Sequence, residues 1–161
     1  MSDKEPSVHI WELMEDIGFC MVVTHSGEGD AVRARPMAAK VEIDDHAVYF
    51  LTDAGAPKDQ EIKHTSNVCL TFSDVKANNY VSVSGTAEVF ADPELAERVW
   101  SAGDKAFFSG PNDPKIRIIR VTPDRGEYWE GVGRIAKVVK MIAASASGGR
   151  PDLGKNRKVA M

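Results

Sequence analysis

The chain has 161 residues, of which 43% are hydrophobic and 27% charged, and its formal net charge is −4. This length suits one domain over residues 1–161, and the mild acidity disfavours nucleic acid or an anionic membrane surface as a partner. No apolar run approaches the roughly 20 residues that span a bilayer, and the polar start MSDKEPS lacks the apolar core of a signal peptide, so we expect a cytoplasmic protein with no membrane partner.

The first half of the chain predicts one helix followed by strands. A helix over about Ser7–Ile17 is indicated by an apolar stripe with i, i+3, i+4, i+7 spacing, with Ser7 as its cap and Gly18 as its stop. Extended runs follow, and the proline at position 36 places the second of them at an edge or a bulge. These predicted strands are Phe19–His25, Ala31–Ile43 and Ala47–Thr52. A short helix is expected to open at Pro57.

The second half predicts further strands with helices near the end. Two strands are expected at Asn67–Ser73 and Tyr80–Phe90, and Gly85 inside the second indicates a bulge or a close backbone approach. The remaining predicted elements are a helix from Pro93 to about Trp100, a loop at Gly103–Pro114, strands at Lys115–Val121 and Glu127–Glu130, and an amphipathic helix around Ile135–Ile142. The basic tail, residues 148–161, is expected to be mobile or to lie on a partner.

Together these elements predict a mainly β fold with peripheral helices. Six or seven strands separated by turns favour a closed antiparallel barrel over a parallel doubly wound sheet. Its core is expected over about residues 8–141.

The sequence contains no motif that identifies a catalytic residue. Its four histidines are scattered without metal-ligand spacing, and no nucleophile elbow, phosphate-binding P-loop or dinucleotide fingerprint occurs. We therefore predict no metal site, and the catalytic residues stay unknown.

One group of cationic and hydroxyl side chains, in and next to the predicted strands, indicates a binding site. Arg33 and Arg35 lie two apart and so share one strand face. Thr52 ends the next strand and Lys58 follows the start of the short helix. Such groups can form an anion site, and arginine offers a phosphate two parallel donors. A solvated outer face or an ion pair is the alternative interpretation.

Four short motifs in this order resemble the general stress protein branch of the pyridoxamine 5'-phosphate oxidase superfamily, FMN-binding split-barrel proteins. They are Ala34–Met37, Phe50–Thr52, Lys58 with Glu61-Ile62, and Tyr128-Trp129. The resemblance covers roughly Val8 to Met141. It implies a split β-barrel of the FMN-binding type that forms a homodimer with two flavin sites at the interface.

The resemblance also implies roles for individual residues. Arg35, Thr52 and Lys58 would hold the FMN phosphate, with Asp53 nearby. Pro36 and Met37 would offer backbone groups to the polar edge of the ring, and Lys40 would lie near the ring or the ribityl chain. Tyr80 and Trp129 would approach the flavin from the partner chain.

One departure from the superfamily pattern bears on activity. The Arg-x-His signature that grips pyridoxamine phosphate after the C-terminal tryptophan is missing from residues 131–137, so vitamin B6 oxidation is not expected. The leading interpretation is a flavin-dependent oxidoreductase acting on a small-molecule redox substrate. A non-catalytic flavin carrier or sensor is the alternative, and a haem-binding split barrel ranks last because no histidine has an axial-ligand setting.

Overall fold

A computed structural model of the chain describes residues 5–26, 29, 31–64, 66–131, 134–150 and 154–161. Its helices are α1 (Pro6–Ile17), α2 (Pro57–His64), α3 (Pro93–Val99) and α4 (Arg134–Ser147), with a 3₁₀ turn at Ala102–Ala106. Its strands are β1 (Phe19–His25), β2 (Val32–Ala38), β3 (Lys40–Glu42), β4 (Ala47–Asp53), β5 (Asn67–Asp74), β6 (Asn79–Phe90), β7 (Ile116–Gly131) and β8 (Gly154–Ala160). Among the described residues, no helix combines the length and apolar content that crossing a membrane requires.

One bent strand closes the sheet. The strand order is β2-β1-β5-β6-β7-β4-β3, with β8 added on β7, and all pairings are antiparallel. The two ends of this order, β2 and β3, are separated in sequence by Ala39 alone. The sheet therefore curls back on itself through a single strand that pairs with β1 before the bend and with β4 after it. The predicted antiparallel split barrel is confirmed.

Buried side chains form two apolar clusters, one inside the curled sheet and one outside it. The inner cluster includes Ile10 and Met14 of α1 together with large residues from the strands, among them Phe50 and Phe72. The outer cluster packs α3 against β4 and β7, and it buries Tyr49. Strand β4 is thus covered on both faces, which explains why its sequence is a continuous apolar run rather than an alternating one.

Two glycines have the structural roles that the sequence predicts, one at a bulge and one at a helix end. The register between β6 and β7 shifts at Ser84/Gly85, and a Cβ on Gly85 would lie 2.3 Å from the Thr122 carbonyl oxygen. Gly18 has φ 72° and ends α1 in the left-handed region, and its N–H donates to the Met14 carbonyl. The predicted bulge and the predicted helix stop are both confirmed.

Three predictions about local structure were wrong. Helix α1 begins at Pro6 and is preceded by Glu5, with no side-chain cap bond, because proline suits the first helical position. The two strands expected near the C-terminus are one, since β7 runs through from Ile116 to Gly131. The tail was expected to be mobile or bound to a partner, but its segment 154–160 pairs with β7 of the same chain, on the edge that β4 leaves open.

A cluster formed by Glu61, Arg35 and Thr24 joins α2 to β1 and β2 through hydrogen bonds. Glu61 of α2 is 5% exposed. Arg35 donates to both of its oxygens, from Nη1 at 2.7 Å and from Nη2 at 2.8 Å, and Thr24 donates to Oε2 at 2.6 Å. Hydrogen bonds from Arg35 outweigh the effect of burial and lower the pKa of Glu61 from 4.5 to about 2. The carboxylate therefore stays charged at neutral pH and joins the helix to two strands.

We predict that this cluster makes stability fall in acid. Because the pKa of Glu61 is lower in the folded chain than in the unfolded one, its contribution is complete above about pH 5 and lost as the pH falls toward 2. At about 1.36 kcal/mol for each pKa unit, the loss is at most about 3 kcal/mol. Urea unfolding at several pH values should show the gap in unfolding free energy between the native chain and Glu61→Gln shrinking across this range. A gap that stays constant would contradict the prediction.

Candidate functional site

A cleft opens where the bent strand changes partners. Beyond Ala39 the strand leaves β1 and joins β4, so the two ladders diverge and leave a space between β2 and the end of β4. The cleft has a volume of about 290 Å³. Its lining residues are mostly apolar: Phe19, Pro36, Met37, Ala38, Leu51, Thr52, Asp53, Asp104, Phe107 and Phe108.

Four of the residues singled out from the sequence meet in this cleft. Pro36 and Met37 form its β2 wall, and Thr52 and Asp53 form its β4 wall. Met37 packs against the inner cluster, whereas Thr52 is 2% exposed and Asp53 is exposed at the strand end. The cleft therefore has apolar walls with polar groups at one end, which is the usual composition of a small-molecule site.

Lys40 has a protein partner, which the sequence did not reveal. Its Nζ lies 2.8 Å from Asp104 Oδ2 and also donates to the Ser101 hydroxyl. Burial acts to raise the pKa of Asp104, but hydrogen bonds from Lys40 and Ser101 outweigh it, so that the pKa is lowered. The pair anchors the 3₁₀ turn beside the cleft, and the residues after that turn, Phe107 and Phe108, form part of the wall.

The two arginines of β2 lie on one strand face, as their spacing predicts, and that face is turned toward α2. Arg35 is opposite Val22 and Arg33 is opposite Thr24 in the β1 ladder. Arg35 binds Glu61 through two hydrogen bonds, and Arg33 Nη1 lies 3.6 Å from the same carboxylate. Neither arginine lines the cleft. Both lie on the same strand face as Met37, whereas Pro36 and Ala38 lie on the opposite face of β2.

Sequence reasoning did not assign roles to Glu61 or Asp104. Glu61 lies 26 residues along the chain from its partner Arg35, and Asp104 lies 64 residues from its partner Lys40. Nothing local in a sequence marks such pairs. For Glu61, the available signal was an acidic residue next to Ile62, which is buried.

The other residues of the predicted site either line a different pocket or have side chains outside the described part of the structure. Lys58 is the second residue of α2, and its side chain lies outside the described part of the structure. Tyr80 and Trp129 are directly opposite each other on β6 and β7. They line a separate pocket of about 310 Å³, so one chain does not bring them to the cleft.

In the described part of the chain, neither thiols nor metal ligands add a second candidate centre. Cys20 and Cys69 are free cysteines, and burial raises the pKa of Cys20 to about 12, which keeps it a protonated thiol at neutral pH. Within the described residues no group of three or more His, Cys, Asp or Glu side chains could hold a metal ion. The cleft therefore remains the candidate site.

Comparisons with known proteins agree with this architecture. Protein bli-3 of Neurospora crassa is 26% identical over 143 residues, which cover 83% of this chain and 68% of that protein. General stress protein 26 of Bacillus subtilis is 30% identical over 84 residues, which are 48% of this chain and 57% of that protein.

Two solved structures share the fold. A general stress protein 26 of Jannaschia sp. CCS1 has a TM-score of 0.79 at 24% identity, covering 96% of this chain and 97% of that one. The general stress FMN/FAD binding protein of Xanthomonas citri has a TM-score of 0.65 at 23% identity, covering 76% and 86%. The family model for pyridoxamine 5'-phosphate oxidase-like proteins matches residues 5–152. The chain therefore belongs to the pyridoxamine 5'-phosphate oxidase-like family.

Proposed function

We propose that this chain binds FMN in the cleft at the bent strand and uses it as a flavin-dependent oxidoreductase for a small-molecule substrate. The chain works as a homodimer with two flavin sites at the interface. It acts in the cytoplasm, a setting with which its two free cysteines are compatible.

The observation that carries the proposal is the pairing of an apolar cleft with a cationic end on one strand. Pro36 and Met37 line the cleft, and Arg35 and Arg33 precede them on β2. Met37 shares a strand face with both arginines, and residues two apart on a strand are about 6.6 Å apart. These cations therefore lie within the reach of a flexible chain that leaves the cleft beside Met37. A planar apolar ring with a phosphorylated tail fits this order of surfaces. The family of the chain and the FMN/FAD binding relative from Xanthomonas citri support the same ligand.

The residues of this chain would bind and orient the flavin. When bound, FMN supplies the electron or hydride transfer. The apolar walls would exclude water from the bound ring, and the Lys40–Asp104 pair holds the Phe107–Phe108 wall in place. Thr52 and Asp53 offer polar groups at the end of β4.

An exposed apolar face of the sheet supports the dimer. In β1, burial alternates, so that Cys20 and Val22 point inward while Phe19 is 62% and Met21 36% exposed. Trp129 on the same outer face of β7 is 37% exposed. A face of this kind beside a cleft is typical of a protein–protein contact. A second copy would cover it and would bring Tyr80 and Trp129 to the first copy's ligand.

We predict that the purified protein is yellow. Heat denaturation should release FMN, and mass spectrometry of the released chromophore checks its identity.

The substitution Ala38→Trp fills the cleft, so binding of both FMN and riboflavin to the apoprotein should be lost in a fluorescence-quenching titration. Ala31→Trp is the matched control, because Ala31 is exposed and lies just before the start of β2, far along the strand from Ala38, and it should bind both flavins normally. Native-like thermal unfolding of Ala38→Trp separates loss of the site from loss of the fold. Unchanged binding in Ala38→Trp would contradict the proposed site.

Turnover distinguishes an oxidoreductase from a flavin carrier or sensor. We expect the flavin-loaded protein to be reduced by a nicotinamide or by another small-molecule reductant, and to be reoxidised by an acceptor, with the flavin absorbance near 450 nm followed in a stopped-flow spectrometer. Reduction that is complete with dithionite but absent with every small-molecule reductant would favour the carrier or sensor.

We predict that light scattering during size-exclusion chromatography gives twice the 17.6 kDa chain mass. Met21→Glu places a charge on the outer face of β1 and should weaken the dimer by at least about 100-fold, because a charge buried without a partner costs several kcal/mol. Val75→Glu is the control, since Val75 is 75% exposed in the β5–β6 turn. A dimer that survives Met21→Glu, or a native monomer, would contradict the proposed interface.

A further inference from the structure

Helix α4 is not covered by its own chain. From position 138 to position 147 every described side chain is exposed except that of Ala144, which is half-buried. The large apolar side chains in this stretch are between 51% and 64% exposed: Val138, Val139, Met141 and Ile142. A helix of 14 residues is marginal in water when nothing packs against its apolar side. A surface outside this chain is therefore needed to stabilise α4.

The apolar and basic side chains of α4 lie on different sides of the helix. At about 100° per residue, the four large apolar residues fall within an arc of about 160°. Lys140 lies on the opposite side of the helix axis from this arc. The helix therefore suits an apolar surface that has acidic residues at its border.

Charge is distributed unevenly along the chain. Residues 134–161 contain seven Lys and Arg against one Asp, a net charge of +6. Residues 1–133 contain 13 Lys and Arg against 23 Asp and Glu, a net charge of −10. Opposite charges of this size favour contact between the basic segment of one copy and the acidic body of another. The same acidic body disfavours an anionic membrane, the other surface that basic amphipathic helices bind.

The border of the cleft offers a matching surface. Phe19 and Phe107 line the cleft and are 62% and 80% exposed, so the apolar surface of the cleft continues outward. Asp53 lines the same cleft and is exposed, and Asp16 is exposed three residues before Phe19. This border therefore combines aromatic rings with carboxylates, which complement the apolar stripe and the cations of α4.

We propose that α4 of one copy packs across the cleft border of a second copy and completes the outer wall of its ligand site. The inference rests on the proposed dimer, in which Trp129 approaches the ligand of the other copy. Arg134 begins α4 five positions after Trp129, which is at most about 18 Å of extended chain. A dimer that brings Trp129 to the cleft of the other copy therefore brings the start of α4 close to it.

Cysteine cross-linking of the full-length chain tests the contact. Met141→Cys combined with Phe107→Cys, in a Cys69→Ser background, should form a covalent dimer with a short bis-maleimide on denaturing gels, since the remaining Cys20 is buried. Each of the two substitutions alone should leave the chain monomeric on the gel. Met141→Cys with Glu94→Cys is the matched control and should not cross-link, because Glu94 is exposed on α3 and lines a pocket that shares no residue with the cleft.

A charge on the apolar side of α4 gives a second, independent measurement. Ile142→Glu should weaken the dimer about 10-fold or more in analytical ultracentrifugation, because it removes a buried aliphatic side chain and adds an unpaired charge. Ser147→Glu adds the same charge five residues on, about 140° around the helix, and should leave the dimer unchanged. Because the described part of α4 is exposed in the single chain, neither substitution should disturb the fold.

The outcomes separate this contact from the dimer itself. A dimer that does not cross-link between positions 141 and 107, or that Ile142→Glu does not weaken, overturns the docking of α4 while the proposed dimer stands. A native chain that is monomeric in solution overturns both. Sedimentation of the native chain with phosphatidylserine vesicles, lost in Ile142→Glu, would assign α4 to a membrane surface and would also overturn the docking.

Discussion

The structure depends on one strand that has two partners. Residues 32–42 form a nearly continuous strand, but β2 pairs with β1 and β3 pairs with β4. At the bend, the Ala39 N–H donates to the Gly18 carbonyl at 2.9 Å, and Gly18 is the residue that ends α1. The position of the bend is therefore tied to the helix stop. Because the two ladders must separate there, the cleft follows from the topology and does not require a special loop.

Two ion pairs hold this strand from opposite sides of the bend. Arg35 binds Glu61 of α2 before it, and Lys40 binds Asp104 of the 3₁₀ turn after it. Compared with well-packed apolar residues, buried ion pairs add little net stability, although removing the charge of one partner is costly. Their effect here is geometric, since each fixes a separate segment against the strand that lines the cleft. One of these contacts is part of the cleft itself, because Asp104 lines it.

The fold was predictable because its signals are local, whereas the partners of the site residues are not. Apolar runs bounded by turn residues located the strands, and the two-residue spacing of Arg33 and Arg35 correctly put them on one face. It could not say that this face is turned toward α2, because Glu61 lies 26 residues away. For the same reason the sequence does not reveal that Lys40 pairs with Asp104, 64 residues away. Strand β8 was missed since its basic sequence is typical of an edge strand as well as of a tail.

The distribution of aromatic residues bears on the proposed dimer. Phe19 and Phe107 line the cleft and are 62% and 80% exposed, so its apolar surface continues into the solvent. Tyr80 and Trp129 form a second aromatic surface on β6 and β7, in a pocket that shares no lining residue with the cleft. If both surfaces contact one planar ligand, they must come from different copies. In a twofold dimer each copy then supplies the cleft of one site and the aromatic pair of the other, so ligand binding and dimer formation would stabilise each other.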